Sequence, residues 1–268
     1  MLNLVTQMKI PIYQVDASTD KLFHGNPAAV CPLEDWLPDT VLQAIAEENN
    51  LSETAFFVKK DEAYELRWFT PVSEVDLCGH ATLATAHVLF ANSCKNETKI
   101  SFSSKSGPLQ VLREDDLLTL DFPATAGVRC DTPAELISAL GINPIECYKN
   151  VDYMIVLENE NVVADLSPDF GKMKEIDLRG VMVTAPGDTK DFVSRFFAPK
   201  YGIDEDPVTG SAHCTLAPYW AERLGKNELT ATQISKRTGN LICRVERDRV
   251  FISGKTVSYL HGEIEVTC

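Results

Sequence analysis

The sequence predicts an α+β protein of two pseudo-symmetric domains, each a curled, mostly antiparallel sheet around one central helix. The first observation is an internal repeat. Arg67-Trp68-Phe69-Thr70-Pro71 before Glu74 and Gly79 returns as Arg195-Phe196-Phe197-Ala198-Pro199 before Glu205 and Gly210. The arginines lie 128 positions apart and the glycines 131, close to half of the 268-residue chain. Second, each glycine opens a run of Ala, Leu, Thr and His without a breaker, so each copy reads as strand, acidic loop and buried helix. Third, strands outnumber helices, and most connections are too short for crossover helices, which favours antiparallel pairing.

Taken in order, residues 10–16 alternate as a strand. Phe23-His24-Gly25-Asn26-Pro27 is a turn feeding a strand from Ala28. Asp39 to Asn50 places Val41, Leu42, Ile45 and Ala46 on one helical side, and an apolar strand follows Ser52-Glu53-Thr54. Residues 64–70 lead into the first repeat loop, and its helix runs from Gly79 to about Asn92. Ile100 to Val111 and Leu117 to Phe122 read as strands broken at Ser106-Gly107-Pro108 and Glu114-Asp115-Asp116. Thr132-Pro133-Ala134-Glu135 has the form of a capping box, with Thr132 as N-cap of a helix to Leu140-Gly141. Strands are expected at Tyr153 to Leu157, Val162 to Asp165, Gly180 to Thr184 and Asp191 to Phe197. The second central helix runs from Gly210 to Leu224 and stops at Gly225, and three antiparallel strands end the chain: Gly239 to Glu246, Arg249 to Ser253 and Thr256 to Val266. The halves divide as residues 1–117, joined by the last strand at about 257–268, and residues 118–256.

A formal net charge of −14 argues against nucleic acid or an anionic membrane as partner. The first nine residues lack the basic start and apolar core of a secretory signal, and no apolar run reaches membrane-span length, so a soluble cytoplasmic protein is expected. Eight cysteines are scattered without a CxxC, which suggests neither a zinc site nor a disulfide framework.

A helix that opens with glycine presents unpaired N–H groups with no side chain in the way, and such ends bind carboxylates and phosphates. Gly79 and Gly210 facing each other across a cleft would hold a small anionic substrate. Taken singly, either glycine serves close packing equally well; retention of acidic and polar residues in both loops favours a site. Asn26 is a turn residue or a ligand contact. Glu53 is a helix-end glutamate or a general base, the latter because a carboxyl partly withdrawn from water moves toward the range useful for proton transfer.

The assembled motifs resemble the PhzF-like isomerases of phenazine biosynthesis, which share the diaminopimelate epimerase fold. The residues that carry the likeness are Phe23-x-Gly25-Asn26-Pro27-Ala28-Ala29-Val30, Asn50-Leu51-Ser52-Glu53-Thr54-Ala55-Phe56, Glu74-Val75-Asp76-Leu77-Cys78-Gly79-His80-Ala81-Thr82 and Glu205-Asp206-Pro207-Val208-Thr209-Gly210-Ser211-Ala212-His213. The resemblance implies a homodimer with the site in the cleft between domains, needing no metal or organic cofactor. It gives the proton shuttle to Glu53, with Asp206 and His80 as catalytic partners. Gly79, Gly210 and Ser211 become substrate-binding, and Asn26, Ser52 and Cys78 join the pocket lining. His80 alone reads equally as a structural histidine, and His213 as no more than a support. Epimerases of this fold use one cysteine ahead of each helix. Here Cys78 holds the first place and Thr209 the second, and a threonine hydroxyl is no substitute for a thiol as base near neutral pH. That leaves single-base chemistry ahead of a racemase using Cys78 or a non-catalytic binding protein.

Overall fold

A computed structural model describes residues 7–177 and 179–267. The chain divides into two compact units, one formed by the chain up to Leu120 with the segment from Lys255 onward, the other by Asp121–Gly254. No helix among the described residues is long and apolar enough to cross a membrane.

In the first unit the hydrogen-bonded order runs Thr256–Thr267, Gln7–Ala17, Asn26–Leu33, Glu53–Lys60, Ala63–Phe69, Lys99–Ser104, Gly107–Glu114, Leu117–Pro123. All pairs are antiparallel except Asn26–Leu33 with Glu53–Lys60 and Ala63–Phe69 with Lys99–Ser104. Each parallel pair is bridged by a helix, Asp39–Asn49 in the first case and Gly79–Asn92 in the second. The Gly79–Asn92 helix is buried nearly all round, as its unbroken apolar run requires; Leu83, Val88, Leu89 and Phe90 are each at most 5% exposed. Burial of such side chains stabilises by roughly 1.5–3 kcal/mol apiece. The Asp39–Asn49 helix covers a separate cluster, where Leu42, Ile45 and Ala46 meet Ile10, Cys31, Phe56 and Phe69.

The second unit repeats this plan. Its order is Val128–Arg129, Glu146–Lys149, Tyr153–Val156, Val181–Pro186, Phe192–Ala198, Glu228–Gln233, Gly239–Glu246, Arg249–Gly254. The parallel pairs are Tyr153–Val156 with Val181–Pro186 and Phe192–Ala198 with Glu228–Gln233, the second bridged by the Gly210–Leu224 helix. Pro218 inside that helix cannot donate to the Cys214 carbonyl, which accepts from the Thr125 N–H instead, at 3.0 Å.

Two local expectations fail. The segment read as a strand at Val162 to Asp165 is the helix Glu160–Ala164: the Asn159 side chain accepts from the Val162 N–H at 3.1 Å, and this N-cap overrides the β-propensity of Val162-Val163. Thr132 does not cap the Ala134–Leu140 helix, whose N-cap is Pro133 with no side-chain hydrogen bond.

Candidate active site

The predicted site residues fall into two sets, one at the start of each central helix. Both helices are approached in the same manner. Arg67 donates to Glu74 through Nε (2.7 Å) and Nη2 (3.0 Å), and Arg195 donates to Glu205 through the same two nitrogens at the same distances. Arg67 lies 5.1 Å over Phe69 and Arg195 5.0 Å over Phe197. Glu74 and Glu205 are therefore structural anchors, each gripped in a bidentate, largely buried pair that fixes the path to the helix.

In the first unit, Cys78 has extended backbone (φ −142°, ψ 113°) and supplies no side-chain cap to the Gly79–Asn92 helix. Its first-turn N–H groups thus keep their partial positive charge uncovered by a capping oxygen. Glu53 opens its strand beside Ala28, which places it at the same strand end as Asn26, itself fully buried two residues earlier. Thr54, next to Glu53, accepts from the Asn49 side chain at 3.1 Å, tying the helix exit to the strand start. Half-buried Ser52 immediately precedes Glu53.

The Glu53 carboxylate reaches the ring of His80: Oε2 lies 3.2 Å from Nε2, with the side chains 14% and 7% exposed. The contact is an ion pair by distance but not a well-aligned hydrogen bond, and neither atom has a hydrogen-bond partner among the described residues. The other ring nitrogen, Nδ1, lies 3.5 Å from the Cys78 sulfur. Burial works to lower the pKa of His80, but the Cys78 sulfur and the Glu53 carboxylate outweigh it and hold it well above 6.5. The Cys78 thiol is itself pushed up to about 11, first by burial and then by the charge of Glu53, so near neutral pH the charge facing the imidazolium is that of the glutamate.

Donor atoms of Glu53, Cys78 and His80 lie within 4.8 Å of one another, close enough to consider a metal. His80, however, turns one nitrogen toward each neighbour. A single ion can engage only one of the two, so the arrangement suits a proton relay better than three lone pairs converging on a point.

In the second unit Thr209 stands where Cys78 does, again extended (φ −115°, ψ 97°) and again without capping the helix it precedes. Its hydroxyl donates to Asp206, and Gln233, fully buried, holds both residues. Gln233 Oε1 accepts from the Thr209 N–H at 2.9 Å, while Nε2 donates to the Asp206 carbonyl at 2.7 Å and to the Thr209 hydroxyl at 3.1 Å. Ser211 is exposed in the first turn after Gly210, 3.5 Å from Arg179 Nη2. Arg179 is gripped in turn by Asp152, which is 3% exposed.

His213 is a structural group. Its Nδ1–H donates to the Thr209 carbonyl at 2.8 Å, and burial pushes its pKa down to about 4.

Sequence reasoning missed Gln233, Arg179 and Asp152. For Gln233 a signal exists: in Glu228–Gln233 the buried row is Leu229, Ala231, Gln233, and an amide on an inward row must find partners. Arg179 and Asp152 lie 27 residues apart, and nothing local couples them.

A family model described as phenazine biosynthesis-like protein (PhzC-PhzF) matches residues 15–262. The chain is 54% identical over 259 residues to an uncharacterized isomerase of Pseudomonas aeruginosa, an alignment covering 97% of this chain and 100% of that one. A crystal structure of a PhzF-family phenazine biosynthesis protein from Enterococcus faecalis matches with a TM-score of 0.94 at 51% identity, covering 96% of this chain and 99% of that one. A hydroxyproline epimerase from Agrobacterium vitis matches with a TM-score of 0.63 at 10% identity, covering 97% of this chain and 93% of that one, a likeness of fold alone.

Proposed function

The chain belongs to the phenazine biosynthesis-like (PhzC-PhzF) family, and on that footing we propose that it is an isomerase in which Glu53 moves a proton within a small unsaturated or cyclic carboxylic acid. The observation that carries this reading is the buried contact of Glu53 with His80 at 3.2 Å. A carboxylate at this position can take a proton from a carbon made acidic by conjugation, with His80 beside it as the partner of an ion pair. Positioned acid–base catalysis of this kind contributes on the order of 10²–10⁴-fold. The uncapped amides at Gly79 offer donors to a carboxylate and to charge that develops on it.

The thiol and hydroxyl ahead of the two helices fit other roles. Cys78 stays protonated up to about pH 11, and the Thr209 hydroxyl is committed to Asp206, so a two-thiol exchange has no base at either place. In the first unit we assign substrate contacts to Asn26, Ser52, Cys78 and Gly79. In the second we assign Gly210 and Ser211 to substrate recognition and Asp206 to proton traffic, roles read through KM and kcat of Ser211→Ala and Asp206→Asn. The family footing also makes a homodimer the expected assembly, read by light scattering.

The test is a screen of small unsaturated and cyclic acids in heavy water, with mass shifts read for wild type and Glu53→Gln side by side. Deuterium uptake by wild type and none by a folded Glu53→Gln supports the proposal. Binding of acids with no exchange in wild type would instead make the protein a binding module.

A further inference from the structure

We propose that Cys130 and Cys147 form a modification site, a dithiol that closes to an intramolecular disulfide on reaction with a low-molecular-weight disulfide such as oxidised glutathione. Both are free thiols, and their sulfurs lie 3.5 Å apart. The placement follows from strand pairing. Arg129 stands opposite Tyr148 in the antiparallel register, so the next step along the two chains sets Cys130 opposite Cys147, and the Cys130 N–H donates to the Cys147 carbonyl at 2.9 Å. Opposed residues of an antiparallel pair have Cα atoms about 4.5–5.5 Å apart. That falls inside the span of about 4.4–6.8 Å that a disulfide bridges. Closure therefore needs side-chain rotation and a small approach of two sulfurs already in contact, with no new backbone path.

The two thiols differ in access. Cys147 is 3% exposed, and burial raises its pKa, whereas Cys130 is half-buried at the end of the short strand Val128–Arg129. Cys130 is thus the sulfur that attacks first. Its thiolate displaces one glutathione thiolate and forms a mixed disulfide; Cys147 then loses its proton to solvent and attacks the Cys130 sulfur, releasing the second glutathione. Two protein thiols are oxidised and one glutathione disulfide is reduced to two thiols, so atoms and electrons balance. The bond would pin the short strand to Glu146–Lys149, beside a cavity of about 390 Å³ walled by Gly127, Tyr148 and Tyr219 among others. This inference is independent of the isomerase reading and uses none of its residues.

The experiment incubates the native protein with oxidised glutathione, quenches with an alkylating agent, and reads intact mass and a peptide map. Wild type is expected to lose the mass of two hydrogens and to yield a cross-linked peptide joining positions 130 and 147. Cys147→Ser is expected to keep one glutathionyl group on Cys130 and form no cross-link; Cys147→Ala serves the same purpose if a buried hydroxyl unsettles the fold. Cys130→Ser should form neither. Wild type that retains both thiols, that accumulates the mixed disulfide at Cys130, or that cross-links other cysteines instead overturns the proposal.

Discussion

His213 makes acid stability of the second unit a direct readout of its core. The ring is fully buried, its Nδ1–H is committed to the Thr209 carbonyl, and Nε2 has no hydrogen-bond partner among the described residues. Protonation would place a charge and an unsatisfied N–H inside the core, which is why burial holds the pKa near 4 against an ordinary 6.5. Below pH 6.5 the unfolded chain binds a proton that the folded chain refuses. Stability from this group is therefore complete above pH 6.5 and is lost as pH falls toward 4. The gap, at about 1.36 kcal/mol per pH unit, amounts to about 3 kcal/mol. Urea unfolding of wild type and His213→Gln at about pH 7.5 and about pH 4.5 isolates it, because the carboxylates contribute equally to both proteins. Wild type should lose about 2.5 kcal/mol more than the variant over that interval, most of the full gap. Equal losses would refute the reasoning. His80 carries the opposite sign: its raised pKa gives stability that is complete below pH 6.5 and is lost as pH rises through its folded value.

Two further substitutions test the scaffolding around the site. At Gly25 (φ +65°) an added Cβ would stand 2.1 Å from the Ala17 carbonyl oxygen and 2.7 Å from Thr19 Cγ2, so Gly25→Ala should cost more than about 2 kcal/mol and lower Tm by several degrees in a thermal melt. Gln233→Leu removes three hydrogen bonds and orphans the buried Thr209 N–H; at roughly 1–3 kcal/mol per orphaned group it should destabilise by about 3 kcal/mol in denaturant titration, and an unchanged midpoint would contradict the network.

The two central helices were legible because their signals are local and redundant. A glycine start in each, an apolar run on nearly every side in the first and a stop at Gly225 in the second coincide with the observed Gly79–Asn92 and Gly210–Leu224. The duplication was legible because each copy sets an arginine ahead of an acid and a glycine, Arg67, Glu74 and Gly79 against Arg195, Glu205 and Gly210, and in both copies the arginine closes an ion pair onto that acid. Val162-Val163 misled because adjacent β-branched residues imitate a strand, while the Asn159 cap that decides the matter is a single side chain upstream. The contact of Glu53 with His80 spans 27 positions, and no periodicity in the chain encodes it; the choice of Glu53 as shuttle came from family resemblance. Gln233 stands on a readable inward row of its strand and was overlooked, whereas Arg179 and Asp152 lie 27 positions apart in connecting segments with nothing local to couple them.

The central claim, that one carboxylate and no thiol handles the migrating proton, meets its most direct test in heavy water with two variants beside wild type. The measurement is the rate of deuterium incorporation into a turned-over acid for Glu53→Gln and for Cys78→Ser, each checked for folding by its melting curve. The account predicts that exchange disappears with Glu53→Gln and persists with Cys78→Ser. Persistence in Glu53→Gln with loss in Cys78→Ser would contradict it and move the chemistry to the thiol.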